Sequence, residues 1–184
     1  MIFDRLAIGS ANWGKEYNGA KVPEDDQKRI LDYCYCSGID TIHTSKDYGW
    51  DWSKVNSFFE IITKEEGCVS LYEPPNKAYI GKILQVPYSI YDRRLEKHFP
   101  EWKGDIWECQ IHVRSIFLRG KILEAGFTPV QCIAFCLMNP NIDKVILGAD
   151  SYEQFKNNLK PFHRWNTAEK HDINLLDCRR WETK

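Results

Sequence analysis

Long apolar runs are absent from this chain of 184 residues. No stretch approaches the roughly 18–20 apolar residues that a bilayer-spanning helix needs. Charge of one sign is missing as well. Lys and Arg number 25 against 26 Asp and Glu, and the net charge is −1, so neither nucleic acid nor an anionic membrane is an expected partner. The opening MIFDRLAIGS carries Asp4 and lacks the basic-then-apolar order of a secretory signal, which makes the cytoplasm the default expectation. Cysteines number seven, an odd count, and sit inside apolar segments such as ILDYCYCSGI and PVQCIAFCLM. A disulfide framework is not expected from such a pattern. Cys132 and Cys136 have one-turn spacing, but no second Cys/His pair at zinc-site spacing accompanies them. They read as a buried helix face, and no metal site is expected. Linkers, repeats and low-complexity tracts are also lacking, so residues 1–184 read as a single domain.

What the chain does have is core-forming material: 43% hydrophobic and 14% aromatic residues, with seven Trp. LAIGS (6–10), IDTIH (39–43), EIITK (60–64), CVSLY (68–72), ILQVPYS (83–89), CQIHVRS (109–115) and KVILG (144–148) read as strands. Pro23 and Glu24 open a helix that Gly38 closes; Thr128 caps another with Pro129 in its first turn; Ser151 opens a third. Shorter helices are expected over Ser53–Phe59 and Arg93–Phe99, and a last turn over Asp172–Leu176. Alternating strands and helices indicate an α/β class with a parallel sheet. Such a sheet binds ligands at the carboxyl ends of its strands. There stand Gly9, Ser10, His43, the Tyr48 loop, Lys64, Ser70–Tyr72, Gln85, Arg114, Gly148 and Asp150. A Tyr and a Lys from neighbouring strand ends can act as a general acid and its tuner, because an ammonium lowers a phenol's pKa. Taken alone, polar residues at strand ends are the commoner reading, and His43 reads first as a packed histidine. The Tyr48, Trp50 and Trp52 cluster reads first as packing at the mouth.

Several segments in order carry a more specific likeness. LAIGSANWGKEYNGA resembles an opening Leu-x-x-Gly-Thr-x-x-x-Gly strand and loop, and GIDTIHTSKDYG resembles Gly-Ile-x-x-Ile-Asp-Thr-Ala-x-x-Tyr-Gly. VSLYEP, LQVPYSIYDRRLE, HVRSIFLRGKIL, IDKVILGADSYEQFKNNL and LLDCRRW follow in the same order. Together they resemble the aldo-keto reductases, in particular a bacterial branch found near surface-polysaccharide genes. The resemblance implies a TIM-type (β/α) barrel that binds NADP(H) without a Rossmann fold. It places Tyr48 and Lys64 on the family's catalytic Tyr and Lys and puts His43 where the family has Asp. The family's catalytic His is implied to be missing together with the fourth strand-helix unit, about 60 residues of a roughly 250-residue barrel, and a shorter piece is missing after Leu123. For the cofactor it implies Ser70 and Gln85 at the nicotinamide amide; Arg114 at the end of the strand leading into the pyrophosphate loop of Ser115, Phe117, Leu118, Arg119 and Gly120; and Gly148, Asp150, Gln154 and Asn158 towards the adenosine phosphate. An acid at position 150 opposes a 2′-phosphate.

Chain geometry adds two expectations. Only three residues separate EIITK from CVSLY, too few for a parallel crossover, so a local antiparallel hairpin is expected in a truncated or distorted, mixed seven-strand barrel. A barrel short of one unit has a seam, and a homodimer is expected to cover it. Three functions remain open. One is a reductase-derived protein with an incomplete catalytic set and little or no turnover. Another is a minimal NAD(P)H-dependent aldehyde or sugar reductase using Tyr48 and Lys64. The last is a non-catalytic binding or assembly module.

Overall fold

A computed structural model of the chain describes residues 2–17, 19–75, 79–105 and 107–167. The strands are β1 (Leu6–Gly9), β2 (Thr41–Thr44), β3 (Glu60–Thr63), β4 (Cys68–Ser70), β5 (Ile83–Pro87), β6 (Gln110–Arg114) and β7 (Lys144–Leu147). The helices are α1 (Glu24–Ser37), α2 (Phe99–Lys103), α3 (Lys121–Glu124), α4 (Pro129–Met138) and α5 (Tyr152–Thr167). The expected turn at Asp172–Leu176 and the segment LLDCRRW lie outside the described residues.

The helix ends follow the local chemistry. Acids at positions 24, 25 and 26 favour the positive end of α1, and Gly38 closes it at φ 80°, where a side chain would be strained. Thr128 and Gln131 form a reciprocal capping box on α4, with Pro129 in its first turn. Cys132 and Cys136 are both buried in α4, and the six described cysteines are free. Among the described residues no single helix is long and apolar enough to cross a membrane.

All seven strands run parallel in one sheet, in the order β3-β2-β1-β7-β6-β5-β4, which curls into a nearly closed barrel of the TIM type. The expected antiparallel hairpin is not formed, and the barrel is not mixed. The physical reason is stagger. Carried round the six pairings, the register brings Phe59 level with Leu71, twelve positions on. Across the seam, Thr63 bridges Gly67 in parallel, only four positions on. The difference of eight residues matches the shear of a (β/α)8 barrel. Strand β4 therefore begins beside the point where β3 ends, and the turn at residues 64–66 lets the chain climb on without returning to the bottom of the barrel. The crossover rule holds for parallel strands set abreast, and these two are offset end to end.

Two short helices were also expected elsewhere. Ser53–Phe59 is a series of turns, because Asp51 accepts the Ser53 N–H and hydroxyl and Asn56 accepts the Phe58 N–H, which competes with helical bonding. Arg93–Phe99 holds only a 3-10 turn at Glu96–His98. Helix α2 starts after it, with Pro100 in its first turn, where a missing N–H costs nothing.

The space between sheet and helices is filled by one hydrophobic cluster that includes Trp13, Ile30, Tyr88, Phe99, Trp102, Phe135, Phe155 and Phe162. Polar staples close the bottom of the barrel. The Arg5 guanidinium donates to the carbonyls of Leu137, Asn139 and Ile142, and Asp143 takes both Lys103 and the Ile111 N–H. At the top, Gly14 packs its backbone onto the Gly49–Trp50 peptide, so that a Cβ there would overlap main-chain atoms. Gly14→Ala is expected to cost about 2 kcal/mol or more, the range of a forced overpacking. Urea unfolding checks this, and an unchanged midpoint would mean that the two loops separate freely.

Candidate active site

The upper ends of the strands surround a cavity of about 500 Å³. Its lining includes Gly9, Ser10 and Asn12 after β1, His43, Thr44 and Tyr48 at and after β2, and Lys64 after β3. Gln85, Arg114 and the loop from Ser115 to Gly120, and Gly148 to Asp150 with Gln154 and Asn158, complete most of the wall. Of the residues expected at the site, Ser70, Leu71 and Leu118 do not line the cavity. Ser70 instead meets Arg114, whose Nη2 lies 3.4 Å from its hydroxyl.

A buried hydrogen-bonded row forms the floor. Gln85 Nε2 lies 3.1 Å from His43 Nδ1, His43 Nε2 lies 2.8 Å from His112 Nδ1, and His112 Nε2 lies 3.2 Å from Gln110 Oε1. Two neutral imidazoles, each protonated on Nε2, satisfy all three contacts in one direction. His43 and His112 are 3% and 1% exposed. Burial, with His112, Lys144 and Lys64 adding to it, holds His43 well below its ordinary value. Burial likewise pushes His112 down to about 4, although Asp143 opposes the shift. His43 is thus packed into the floor and also lines the cavity. Gln85 Oε1 is left buried with no hydrogen-bond partner.

Tyr48 and Lys64 do come together, in a different arrangement from an acid and its tuner. Lys64 Nζ lies 4.9 Å from the centroid of the Tyr48 ring and over its face. Two more cations of the wall sit on tyrosines in the same way: Arg114 on Tyr72 at 4.1 Å and Arg119 on Tyr17 at 5.8 Å. Asp150 is the acid among the described lining residues; its Oδ1 accepts from Asn12 Nδ2 at 2.9 Å, and its own N–H donates to Gln154 Oε1.

The wall formed by the β6 loop is conformationally strained. Ser115, Leu118 and Arg119 have φ of 59°, 45° and 56°, a region that residues with a Cβ rarely adopt. Each such residue costs about 1–3 kcal/mol and persists where the surroundings impose it, most often at binding sites.

Sequence reasoning placed Tyr72 at the strand ends but missed Asn12, Tyr17 and His112. A signal for His112 was present: Gln110, His112 and Arg114 alternate with Ile111 and Val113, so one face of β6 is polar and points into the barrel. Tyr17 lies in a loop, where no periodicity marks it.

No family model matches the sequence, and no curated protein matches it. Solved structures do match the fold. One, the Pseudomonas aeruginosa protein PA4992, described as a "putative aldo-keto reductase", superposes with a TM-score of 0.60 at 13% identity, covering 85% of this chain and 88% of that one. A second structure, also of a "putative aldo-keto reductase" from Pseudomonas aeruginosa, gives a TM-score of 0.58 at 12% identity, with coverage of 84% and 87%. At such identities the likeness is one of fold, and the chain carries the (β/α) barrel of these aldo-keto reductase-like proteins.

Proposed function

We propose that this chain is an aldo-keto reductase-like protein, shortened by one strand-helix unit, that binds a nicotinamide dinucleotide and reduces carbonyl compounds little or not at all. The observation that carries the reading is the strained loop after β6, held against a cavity of nucleotide-accommodating size with two guanidinium groups beside it. Main-chain N–H groups in such irregular turns make concave anion sites. Arg114, Ser115, Phe117, Arg119 and Gly120 would hold the pyrophosphate, and Gly148, Asp150, Gln154 and Asn158 the adenosine side. When bound, the dinucleotide supplies a hydride for a carbonyl carbon. The Asp150 carboxylate suits a ribose hydroxyl better than a 2′-phosphate, so NADH is the favoured form over NADPH.

Titration of the intrinsic Trp fluorescence tests this. Quenching by NADH with a micromolar Kd is expected, with NADPH bound about tenfold more weakly, the effect of about 1.4 kcal/mol of charge repulsion. Asp150→Asn should narrow that gap, and Arg119→Ala should weaken both. A flat response to both dinucleotides would overturn the reading in favour of a binding or assembly module.

Assembly belongs to the same proposal. Among the described residues only the Thr63–Gly67 bridge joins β3 to β4, and the rest of both edges is open to pairing. A twofold dimer in the cytoplasm that covers this seam is the expected form. Light scattering should give twice the chain mass of 21.6 kDa, and a clean monomer at micromolar concentration would refute it.

A further inference from the structure

Lys64 carries an unanswered charge. Among the described residues no carboxylate lies within 4.0 Å of its ammonium, whose charged contact is with the Tyr48 ring face. The floor beside it adds no charge of either sign, because burial keeps His43 and His112 neutral. Arg114 directs Nη2 to the Leu71 carbonyl and the Ser70 hydroxyl, which are uncharged. The only described acid of the cavity wall, Asp150, follows β7 and is tied to Asn12. A concave site with cations and few anions holds a positive potential, which draws in an anionic ligand.

The anionic part of a dinucleotide would account for the β6 loop but not for Lys64. Strands β2, β1 and β7 separate β3 from β6 on one side, and β5 and β4 separate them on the other. A second feature in the same cavity also points to a ligand. Gln85 is 4% exposed, and its Oε1 accepts no hydrogen bond, although its Nε2 is held by His43. A buried acceptor left unmet costs about 1–3 kcal/mol, which a donor on a ligand would recover.

We propose that the Lys64 side of this cavity binds a small hydroxycarboxylate, whose carboxylate accepts from Lys64 Nζ and whose hydroxyl donates to Gln85 Oε1. The inference shares the cavity of the reading above and does not require the dinucleotide. A single ammonium matches one carboxylate. A phosphate wants several donors at once, and on this side of the cavity Lys64 offers one ammonium, while Arg114 Nη2 is turned to Leu71 and Ser70.

The test uses the full chain without dinucleotide and measures binding by ligand-observed NMR saturation transfer and by Trp fluorescence. The probes are lactate and 3-hydroxybutyrate, the neutral diols propane-1,2-diol and butane-1,3-diol, the deoxy acids propionate and butyrate, and inorganic phosphate. At least one hydroxy acid should bind about tenfold or more tightly than its diol and than its deoxy acid, a difference of about 1.4 kcal/mol for each lost contact. Lys64→Met should weaken it about tenfold, whereas Lys64→Arg should retain it. Lys64 is exposed, so these variants leave folding intact, and a thermal melt verifies that. Equal binding of the diols, of the deoxy acids or of phosphate would overturn the proposal, as would an unchanged Kd in Lys64→Met. Failure of NADH to bind while lactate or 3-hydroxybutyrate still binds would overturn the dinucleotide reading and leave this one standing.

Discussion

Purified protein supplied with NADH or NADPH and a small aldehyde is expected to turn over at least about a thousandfold more slowly than the roughly 10 per second typical of enzymes. Protonation of a carbonyl oxygen by Tyr48 requires that its proton leave readily as the alkoxide forms. A cation assists when it lies at the hydroxyl, where it stabilises the developing phenolate. Lys64 lies over the ring face instead, 4.9 Å from the centroid. Among the described residues no carboxylate pairs with Lys64 to fix it elsewhere, and its neighbour at the end of β2 is His43, neutral and bonded to His112 and Gln85. A reductase needs its acid, its tuner and its orienting groups together, and removing members of such a unit typically costs three to six orders of magnitude. The assay follows the absorbance of reduced nicotinamide with propanal or benzaldehyde. Turnover near 10 per second that disappears in Tyr48→Phe would refute the expectation. It would mean that Lys64 moves onto the Tyr48 hydroxyl once the cavity is filled.

The second large effect is on stability. Between pH 7 and pH 4 the protein should lose about 3 kcal/mol through His112 alone, and His43 adds a loss of the same sign. In the unfolded chain each histidine takes up a proton near pH 6.5. In the folded chain His112 resists until about pH 4, and His43 is likewise held well below its ordinary value. The unfolded state therefore binds more protons throughout that window, and stability falls as the pH drops through it. The stabilisation is complete above 6.5. Since His112 is 1% exposed, solvent screening reduces the effect little. Below about 4.5 the carboxyls of Glu96, Asp40 and Asp92, all held low, add losses of the same sign. Urea unfolding at pH 7.5, 6, 5 and 4 measures the slope. A curve that is flat from 7.5 to 5 would mean that the two rings share a proton in the folded state. His112→Gln puts a non-titrating amide at the position and should flatten the upper part of the curve, while the losses below about 4.5 remain.

The elements of the barrel were legible in the sequence where local physics dominates. Acids before Ile30, Gly38 at a left-handed turn and the Thr128–Gln131 box mark helix ends within a few residues of chain, and all three stand where the pattern puts them. The strands were legible for the same reason: short apolar runs such as ILQVP and KVIL, bounded by turns and alternating with helices, suit a buried parallel sheet. Most of the cavity lining was legible as well, because parallel strands must present their carboxyl ends to one side. Local sequence alone thus determined the α/β class, most strand positions and the face on which the site lies. Three features depend on residues far apart in the chain, and only the tertiary structure decided them. The eight-residue stagger that lets β4 continue from β3 is a property of all six pairings taken together, so the spacing of EIITK and CVSLY could not reveal it. The pairing of His43 with His112 joins positions 69 residues apart, and burial then sets their charge. The placement of Lys64 on the Tyr48 ring rather than on its hydroxyl is a matter of side-chain packing in a cavity whose walls come from every strand end, and no stretch of sequence encodes that distance.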